Sequence, residues 1–245
     1  CAVPLSGCAQ DGAGMALSVC VGNAPESLDP IYAEDTSGQT VLAHLYENLM
    51  RVTADSTGKT SVIPGIAKSV DQEEETKEGA ISVTYTFRLR SARWSDGQPV
   101  TAGDFVYAWQ RLADPARGSR YADLLSVVSG YREARASGDM SLLKVTAKND
   151  NTLVVVLNGH YDWFIKEVCT SPATMPLRED VVQRLKTASG SQSWWEGDPT
   201  QLVTNGPYTV AALEENRLLQ LEANDRYYAA QPGPQSIAFH FAGSA

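Results

Sequence analysis

Two patterns of apolar and polar residues stand out along the chain. Between residues 81 and 90, apolar and polar side chains alternate strictly, which predicts a strand with one buried face. Between residues 105 and 112, apolar residues recur at spacings of three and four, which predicts a helix with one buried stripe. The stripe consists of Phe105, Ala108, Trp109 and Leu112. We therefore expect a mixed α/β chain whose core includes this strand and this helix.

The helix carries start and stop signals. Asp-Gly at 96–97 predicts a turn, because glycine adopts positive φ at little cost. Thr101 followed three residues later by Asp104 predicts a capping box at the helix N-terminus. Asp-Pro at 114–115 ends the helix, since the residue before a proline disfavours helical backbone angles.

Periodicity and turn residues predict the remaining elements. The acidic run at 71–78 is interpreted as a solvated loop. In chain order we expect a buried strand at 17–21, a helix through Val41 and Leu49 with Ser37 or Thr36 as its N-cap, a turn at 55–58, a hairpin of 145–147 and 153–157, a helix at 163–169, a helix at 180–188, a hairpin of 208–213 and 217–222, and a last strand at 237–241.

Composition narrows the class of protein. The 245 residues suffice for one large or two small domains, and 43% of them are hydrophobic. No run approaches the ~18 apolar residues that a membrane span requires. A net charge of −9 disfavours nucleic acid as a partner, because phosphates repel an acidic surface.

The sequence offers no chemistry typical of an enzyme or a metal site. Its four cysteines lack zinc-ligand spacing, so we expect no metal and no cofactor. Cys20 and Cys169 lie in apolar segments, which favours buried free thiols over a disulfide. The three histidines have no triad partners nearby, and no Gly-x-Ser-x-Gly elbow occurs, so we expect no catalytic residues.

Several longer strings resemble one family. The 22 residues from Trp94 to Pro115 resemble the signature of family 5 solute-binding proteins, with 105–111 similar to the oligopeptide-binding branch. Further matches are Ser-Leu-Asp-Pro at 27–30, Pro-Gly-Ile-Ala at 64–67, Asn-Gly-Pro-Tyr at 205–208 and Asn-Asp-Arg-Tyr-Tyr at 224–228.

The resemblance implies an incomplete periplasmic-binding-protein-like α/β fold of type II, cluster C. A larger lobe, partial domain I, would comprise residues 9–46 and 171–245, and a smaller inserted lobe, domain II, would comprise 47–170. The second main lobe would be missing, so the chain resembles the N-terminal portion of a family member.

The resemblance also implies a function and a site. The chain would capture short peptides between two lobes and deliver them to the permease subunits of an ABC importer. Glu34, Thr36, Tyr121 and Ser171 match positions that touch the peptide in the family. Two alternatives stay open: another solute (a dipeptide, nickel chelate, haem or oligosaccharide), or an exported lipoprotein with a structural or signalling role.

The N-terminus resembles the end of an export signal. Leu-Ser-Gly-Cys at 5–8 is similar to a bacterial lipobox, which makes residues 1–8 a signal remnant ending at a lipidated Cys8. The polar, glycine-rich residues 9–14 would serve as a tether. We expect an extracytoplasmic monomer that contacts the membrane through this lipid.

Overall fold

A computed structural model describes residues 15–190, 193–230 and 233–242. Cys8 and the proposed signal remnant lie outside these ranges. The described strands are β1 (Ala16–Val21), β2 (Met50–Ala54), β3 (Thr60–Pro64), β4 (Ala67–Lys77), β5 (Ala80–Leu89), β6 (Val145–Asn149), β7 (Thr152–Leu157), β8 (Tyr208–Glu214), β9 (Leu218–Ala223) and β10 (Ser236–Phe241). The described α-helices are α1 (Thr36–Leu45), α2 (Ala102–Ala113), α3 (Tyr131–Ser137) and α4 (Glu179–Ser189). None of these helices is long and apolar enough to cross a membrane.

The strands form two four-stranded sheets and one hairpin. The first sheet has the order β1-β10-β9-β8, the second β4-β5-β7-β6, and β2 pairs with β3. β1 and β10 run parallel, with Leu17 opposite Ile237, whereas the neighbouring pairs are antiparallel. The first sheet therefore joins residues from both ends of the described chain. The predicted hairpins at 145–157 and 208–222 are confirmed.

The central helix α2 forms as its pattern predicts. Phe105, Trp109 and Leu112 are fully buried, and the capping box of Thr101 and Asp104 is present. Trp109 Nε1 donates to the carbonyl of Thr174 at 2.9 Å, which satisfies the one polar group of the buried indole. The stripe is therefore part of the core.

The first strand is less buried than predicted. Leu17 is 46% exposed and Cys20 is also exposed, so the expectations of a buried strand and of a buried Cys20 thiol are wrong. The reason is position: within the described residues, β1 pairs only with β10 and is an edge strand. Cys169 is buried, as predicted, and burial raises the pKa of its thiol well above the usual value.

The acidic run forms a strand up to Lys77, and only Glu78 lies in the turn that follows, so the expectation of a loop is wrong. β4 pairs with β5 from Lys77 opposite Ala80 to Asp71 opposite Thr86, while the side chains of the run stay exposed. Backbone hydrogen bonds hold the run in place, so its polarity reflects an edge position in the sheet. Charged side chains on such an edge prevent pairing with other chains.

Two local predictions also change. The N-cap of α1 is Asp35, whose Oδ1 accepts from the amide of Gly38 at 2.7 Å, and neither Ser37 nor Thr36 takes that position. Asp35 has extended backbone angles and Thr36 is already helical, which fixes the cap one residue earlier. The predicted helix at 163–169 forms as a π-helical turn, Phe164–Val168.

α1 ends at Leu45 and does not reach Leu49 as predicted, because Tyr46 has extended backbone angles. The segment 45–49 runs from the last residue of α1 to the hairpin of β2 and β3, and neighbouring turns hold it on several sides. The amide of Glu47 donates to Asn205 Oδ1, and Asn205 Nδ2 donates to the carbonyl of Glu47, both at 3.0 Å. The amide of Gly206 donates to the Leu45 carbonyl at 2.9 Å, and the amide of Gly65 donates to the Leu49 carbonyl at 2.9 Å. This segment is where the chain passes between the two lobes of the predicted division, whose boundaries stay a prediction.

Candidate functional site

The loop before α1 and the turn after α2 are clamped together. Tyr32 Oη donates to the carbonyl of Arg117 at 2.8 Å, and Ser119 Oγ donates to the carbonyl of Ile31 at 2.7 Å. Tyr121 Oη donates to the carbonyl of Ala33 at 3.3 Å. These segments lie more than 80 residues apart in the chain, so tertiary folding alone brings them together.

Two side-chain contacts complete this clamp. Gln39 Nε2, on α1, donates to Tyr121 Oη at 3.1 Å and to the Ala33 carbonyl at 3.3 Å. Arg120 Nε lies 3.2 Å from Glu34 Oε2, and this ion pair faces solvent. We call these joined segments the 31–39/117–121 surface. Glu34 and Tyr121 take part in its contacts, whereas Thr36 lies in the first segment and takes part in none of the contacts named above.

A buried ion pair between Asp29 and Arg111 holds the start of the loop at residues 31–34. Asp29 accepts from Arg111 through both carboxylate oxygens, and Oδ1 also accepts from the amide of Ile31 at 3.3 Å. Burial acts to lower the pKa of Arg111, but the hydrogen bonds and charge of Asp29 outweigh it and raise the pKa. Burial, followed by the charge of Asp29, raises the pKa of Tyr32, so both groups keep their protons at neutral pH.

Thr36 lies at the edge of a surface depression of about 380 Å³. Glu26 and Asp35 also line this depression. The Asp35 carboxylate accepts from the amides of Gly38 and Glu26, so its charge is fixed at the N-terminus of α1. The depression is therefore acidic, and its chemistry suits a cationic or hydrogen-bond-donating group.

Ser171 belongs to a different part of the structure. Its Oγ accepts from the amide of Ala173 at 3.3 Å, which caps the short 3-10 helix Pro172–Thr174. Its carbonyl accepts from Asn48 Nδ2 at 2.8 Å. Within the described part of the chain, no hydrogen bond or ion pair links Ser171 to the other three candidates.

Sequence reasoning did not single out Gln39, Ser119 or Arg120. Gln39 lies on the polar side of α1, and Ser119 and Arg120 directly precede Tyr121 in the chain. The side chains of Ser119, Arg120 and Tyr121 all contact the loop at 31–34 from a turn. Residues in a turn have no helical or strand period, so the sequence gives no signal for these contacts. Only the tertiary structure reveals that they act together.

The described residues hold no group of three or more histidine, cysteine, aspartate or glutamate side chains placed to bind a metal ion. The surface instead combines hydroxyl groups, an amide and one exposed ion pair. Such groups bind polar ligands by hydrogen bonds and charge, and they supply no nucleophile with an adjacent base.

Comparison with known proteins identifies the class. Residues 61–245 match the family of bacterial extracellular solute-binding proteins, family 5, in its middle region, and the chain belongs to this family. Members of the family bind solutes and are not enzymes, in agreement with the sequence expectation.

Individual relatives are similar over most of this chain. It is 32% identical over 214 residues to the oligopeptide-binding protein OppA of Bacillus subtilis, covering 86% of this chain and 36% of that protein. It is 33% identical over 211 residues to the periplasmic oligopeptide-binding protein OppA of Escherichia coli, covering 84% and 35%. The chain thus spans about a third of the length of these relatives.

Solved structures agree. The complex of Haemophilus influenzae OppA with RPPGFSPFR has a TM-score of 0.77 at 32% identity, covering 94% of this chain and 42% of that one. Burkholderia pseudomallei OppA has a TM-score of 0.75 at 32% identity, covering 92% and 42%. The predicted fold class, an incomplete periplasmic-binding-protein-like α/β fold, is confirmed.

Proposed function

We propose that this chain is part of the substrate-binding lipoprotein of an ABC importer, which captures short peptides in a cleft and delivers them to the permease. The observation that carries the proposal is the 32% sequence identity to the oligopeptide-binding protein OppA of Bacillus subtilis, over a match that covers 86% of the chain. The likeness to a solved OppA with a nonapeptide bound supports the same class of ligand.

Glu34, Thr36 and Tyr121, with Ser171 as a separate contact, are the proposed peptide-binding residues. The clamp between residues 31–39 and 117–121 supports this assignment, because a surface fixed before binding loses little conformational entropy when a ligand arrives. An extended peptide would pair its main chain with the protein, and water in the side-chain pockets would tolerate many sequences.

The lobe assignment is part of the proposal. Residues 9–46 and 171–245 would form partial domain I, and residues 47–170 would form domain II, with the segment around Glu47 between them. The cleft would be completed by a second main lobe, since the relatives are about three times as long as the matched part of this chain.

Lipid anchoring through Cys8 completes the proposal and would hold the protein on the outer side of the membrane, where the family acts. A single acyl chain gives only marginal binding, so a stable anchor needs the multiple chains that a lipoprotein cysteine carries. Mass spectrometry of the protein from its native producer tests this proposal. An unmodified Cys8, or a mature start upstream of it, would refute the anchor.

Calorimetry tests the peptide ligand. The full-length gene product and the 245-residue chain are each titrated with a mixed library of tripeptides to pentapeptides. We expect binding by the full-length product and weak or undetectable binding by the 245-residue chain, because one face of a cleft buries only part of a ligand. Micromolar or tighter binding by the 245-residue chain would refute the expectation that tight binding needs both faces of the cleft.

A dipeptide is the second candidate ligand. The chain is 31% identical over 210 residues to the dipeptide-binding protein DppE of Bacillus subtilis. Binding of dipeptides but not of longer peptides by the full-length product would favour this alternative. Absence of binding to any peptide would move the proposal to another solute or to a structural role.

A further inference from the structure

Three consecutive residues reach the loop at 31–34, but they do so in different ways. Ser119 and Tyr121 donate hydrogen bonds to the backbone carbonyls of Ile31 and Ala33. Arg120 instead meets a side chain, the carboxylate of Glu34. The two backbone contacts hold the loop whatever its side chains are, so the clamp does not depend on the Arg120–Glu34 pair.

That ion pair is exposed and can exchange partners. The side chain of Arg120 is 82% exposed and that of Glu34 is 35% exposed. An exposed pair of this kind changes an equilibrium by roughly two-fold to five-fold. A carboxylate brought to the surface by a ligand can therefore compete with Glu34 for the guanidinium on nearly equal terms.

The geometry lets a ligand carboxylate approach the guanidinium before Glu34 leaves it. The contact to Glu34 runs from Nε, whereas a guanidinium carries five N–H donors in a planar fork. A fork of this shape binds a carboxylate at two points, which a lysine cannot reproduce.

Acidic residues near Arg120 restrict where an acidic ligand side chain can bind. The neighbouring depression is lined by Glu26 and Asp35, and the chain as a whole carries a net charge of −9. An acidic side chain on a ligand is repelled by these carboxylates, and Arg120 offers it a partner beside Tyr121.

We infer that Arg120 is a specificity-determining residue that favours peptides with an acidic side chain next to Tyr121, and that Glu34 competes with this side chain for the guanidinium. The inference rests on the proposed peptide-binding function. On binding, the ligand carboxylate replaces Glu34 at Arg120, and Glu34 turns to solvent or to a cationic group of the ligand.

The test uses the full-length gene product and matched pentapeptides. The probes are alanine pentapeptides with one glutamate at each position in turn, each paired with the peptide that carries glutamine there. We expect at least one glutamate peptide to bind more tightly than its glutamine partner. Arg120→Gln should remove about three-fold or more of that preference, and Glu34→Gln should increase it, because the competing carboxylate is gone.

The controls separate charge from structure. Arg132→Gln on α3 removes an exposed arginine outside the 31–39/117–121 surface and should leave the preference unchanged. The preference should also shrink at high salt, since exposed charges are screened. An equal loss for glutamate and glutamine peptides in Arg120→Gln, or no change in their ratio, would overturn the inference. Absence of binding to every peptide would overturn the proposed function and this inference with it.

Discussion

Asp29 and Arg111 are joined by two hydrogen bonds in the protein interior. Arg111 Nη1 donates to Oδ1 at 2.7 Å and Nη2 donates to Oδ2 at 2.5 Å. Trp194 Nε1 adds a bond to Oδ2 at 2.7 Å. One carboxylate thus connects the loop before α1, the helix α2 and the loop after α4. The 31–39/117–121 surface is attached to the core at this point.

Replacement of Arg111 with methionine should strongly destabilise the protein. The change leaves the Asp29 carboxylate buried without its cation, and breaking one side of a buried pair costs roughly 3–5 kcal/mol. Urea unfolding of the variant and of the wild type gives the difference in the free energy of unfolding.

The matched control for this change is Arg132→Met, which removes an exposed arginine and should alter the free energy of unfolding by less than about 0.5 kcal/mol. A loss below about 1 kcal/mol in Arg111→Met would show that the buried pair is not required for stability.

The cap of α2 provides a second prediction. Asp104 Oδ2 accepts from the amide of Thr101 at 2.8 Å and from Trp94 Nε1 at 3.1 Å. Asp104→Ala leaves both donors without an acceptor, so we expect a loss of at least about 2 kcal/mol in the free energy of unfolding. Asp104→Asn keeps one acceptor oxygen and should lose less than half as much. Equal losses in the two variants would argue against the hydrogen bonds as the cause.

Elements with a complete local signal were predictable from the sequence. The alternation of β5 is unbroken over residues 81–90 and the apolar stripe of α2 over residues 105–112, and the Thr101–Asp104 pair lies within one turn of its helix. The strand β4 was missed because its acidic side chains give no apolar period, although its backbone pairs with β5 without interruption from Ser69 to Lys77. β4 lies at the edge of its sheet, where exposed acidic side chains are tolerated. No local sequence pattern encodes this edge position.

The candidate site was predictable only in part, because its contacts are long-range. Resemblance supplied Glu34 and Tyr121, but the partner of Glu34 is Arg120, 86 positions along the chain by their numbers. Trp194 Nε1 donates to the Asp29 carboxylate across 165 positions. Contacts of this kind depend on how the helices, strands and loops pack together, and residue spacing in the sequence does not predict them.

A third prediction concerns Gly206. A Cβ atom there would lie 2.6 Å from the backbone carbon of Leu45 and 2.7 Å from the nitrogen of Tyr46. Gly206→Ala must therefore displace the backbone of the segment at 45–49, and we expect a loss of about 2 kcal/mol or more. Gly22→Ala is the control, because nothing lies within 4 Å of its Cβ position and its stability should stay the same or rise slightly. A similar small change in both variants would contradict the close approach.

The last prediction concerns the pH dependence that Glu47 contributes. Its side chain is 7% exposed, and Tyr227 Oη donates to its Oε2 at 2.5 Å. Burial raises the pKa of Glu47 above its usual value of 4.5, although Tyr227, Arg51 and Arg90 oppose the shift. At a pH between the unfolded and the folded pKa, the Glu47 carboxyl is protonated in the folded protein and ionised in the unfolded chain. Folding takes up this proton, so the contribution of Glu47 to stability falls as the pH rises from about 4.5 through the folded pKa.

Glu47→Gln isolates this contribution, because the amide stays neutral and still accepts from Tyr227. We expect the variant to gain stability relative to the wild type as the pH rises from about 4.5 to 7.5, whatever other groups titrate in both proteins. Urea unfolding of both proteins at four pH values across this range measures the difference. A difference that stays constant, or that moves in favour of the wild type at higher pH, would show that the folded pKa of Glu47 is not raised.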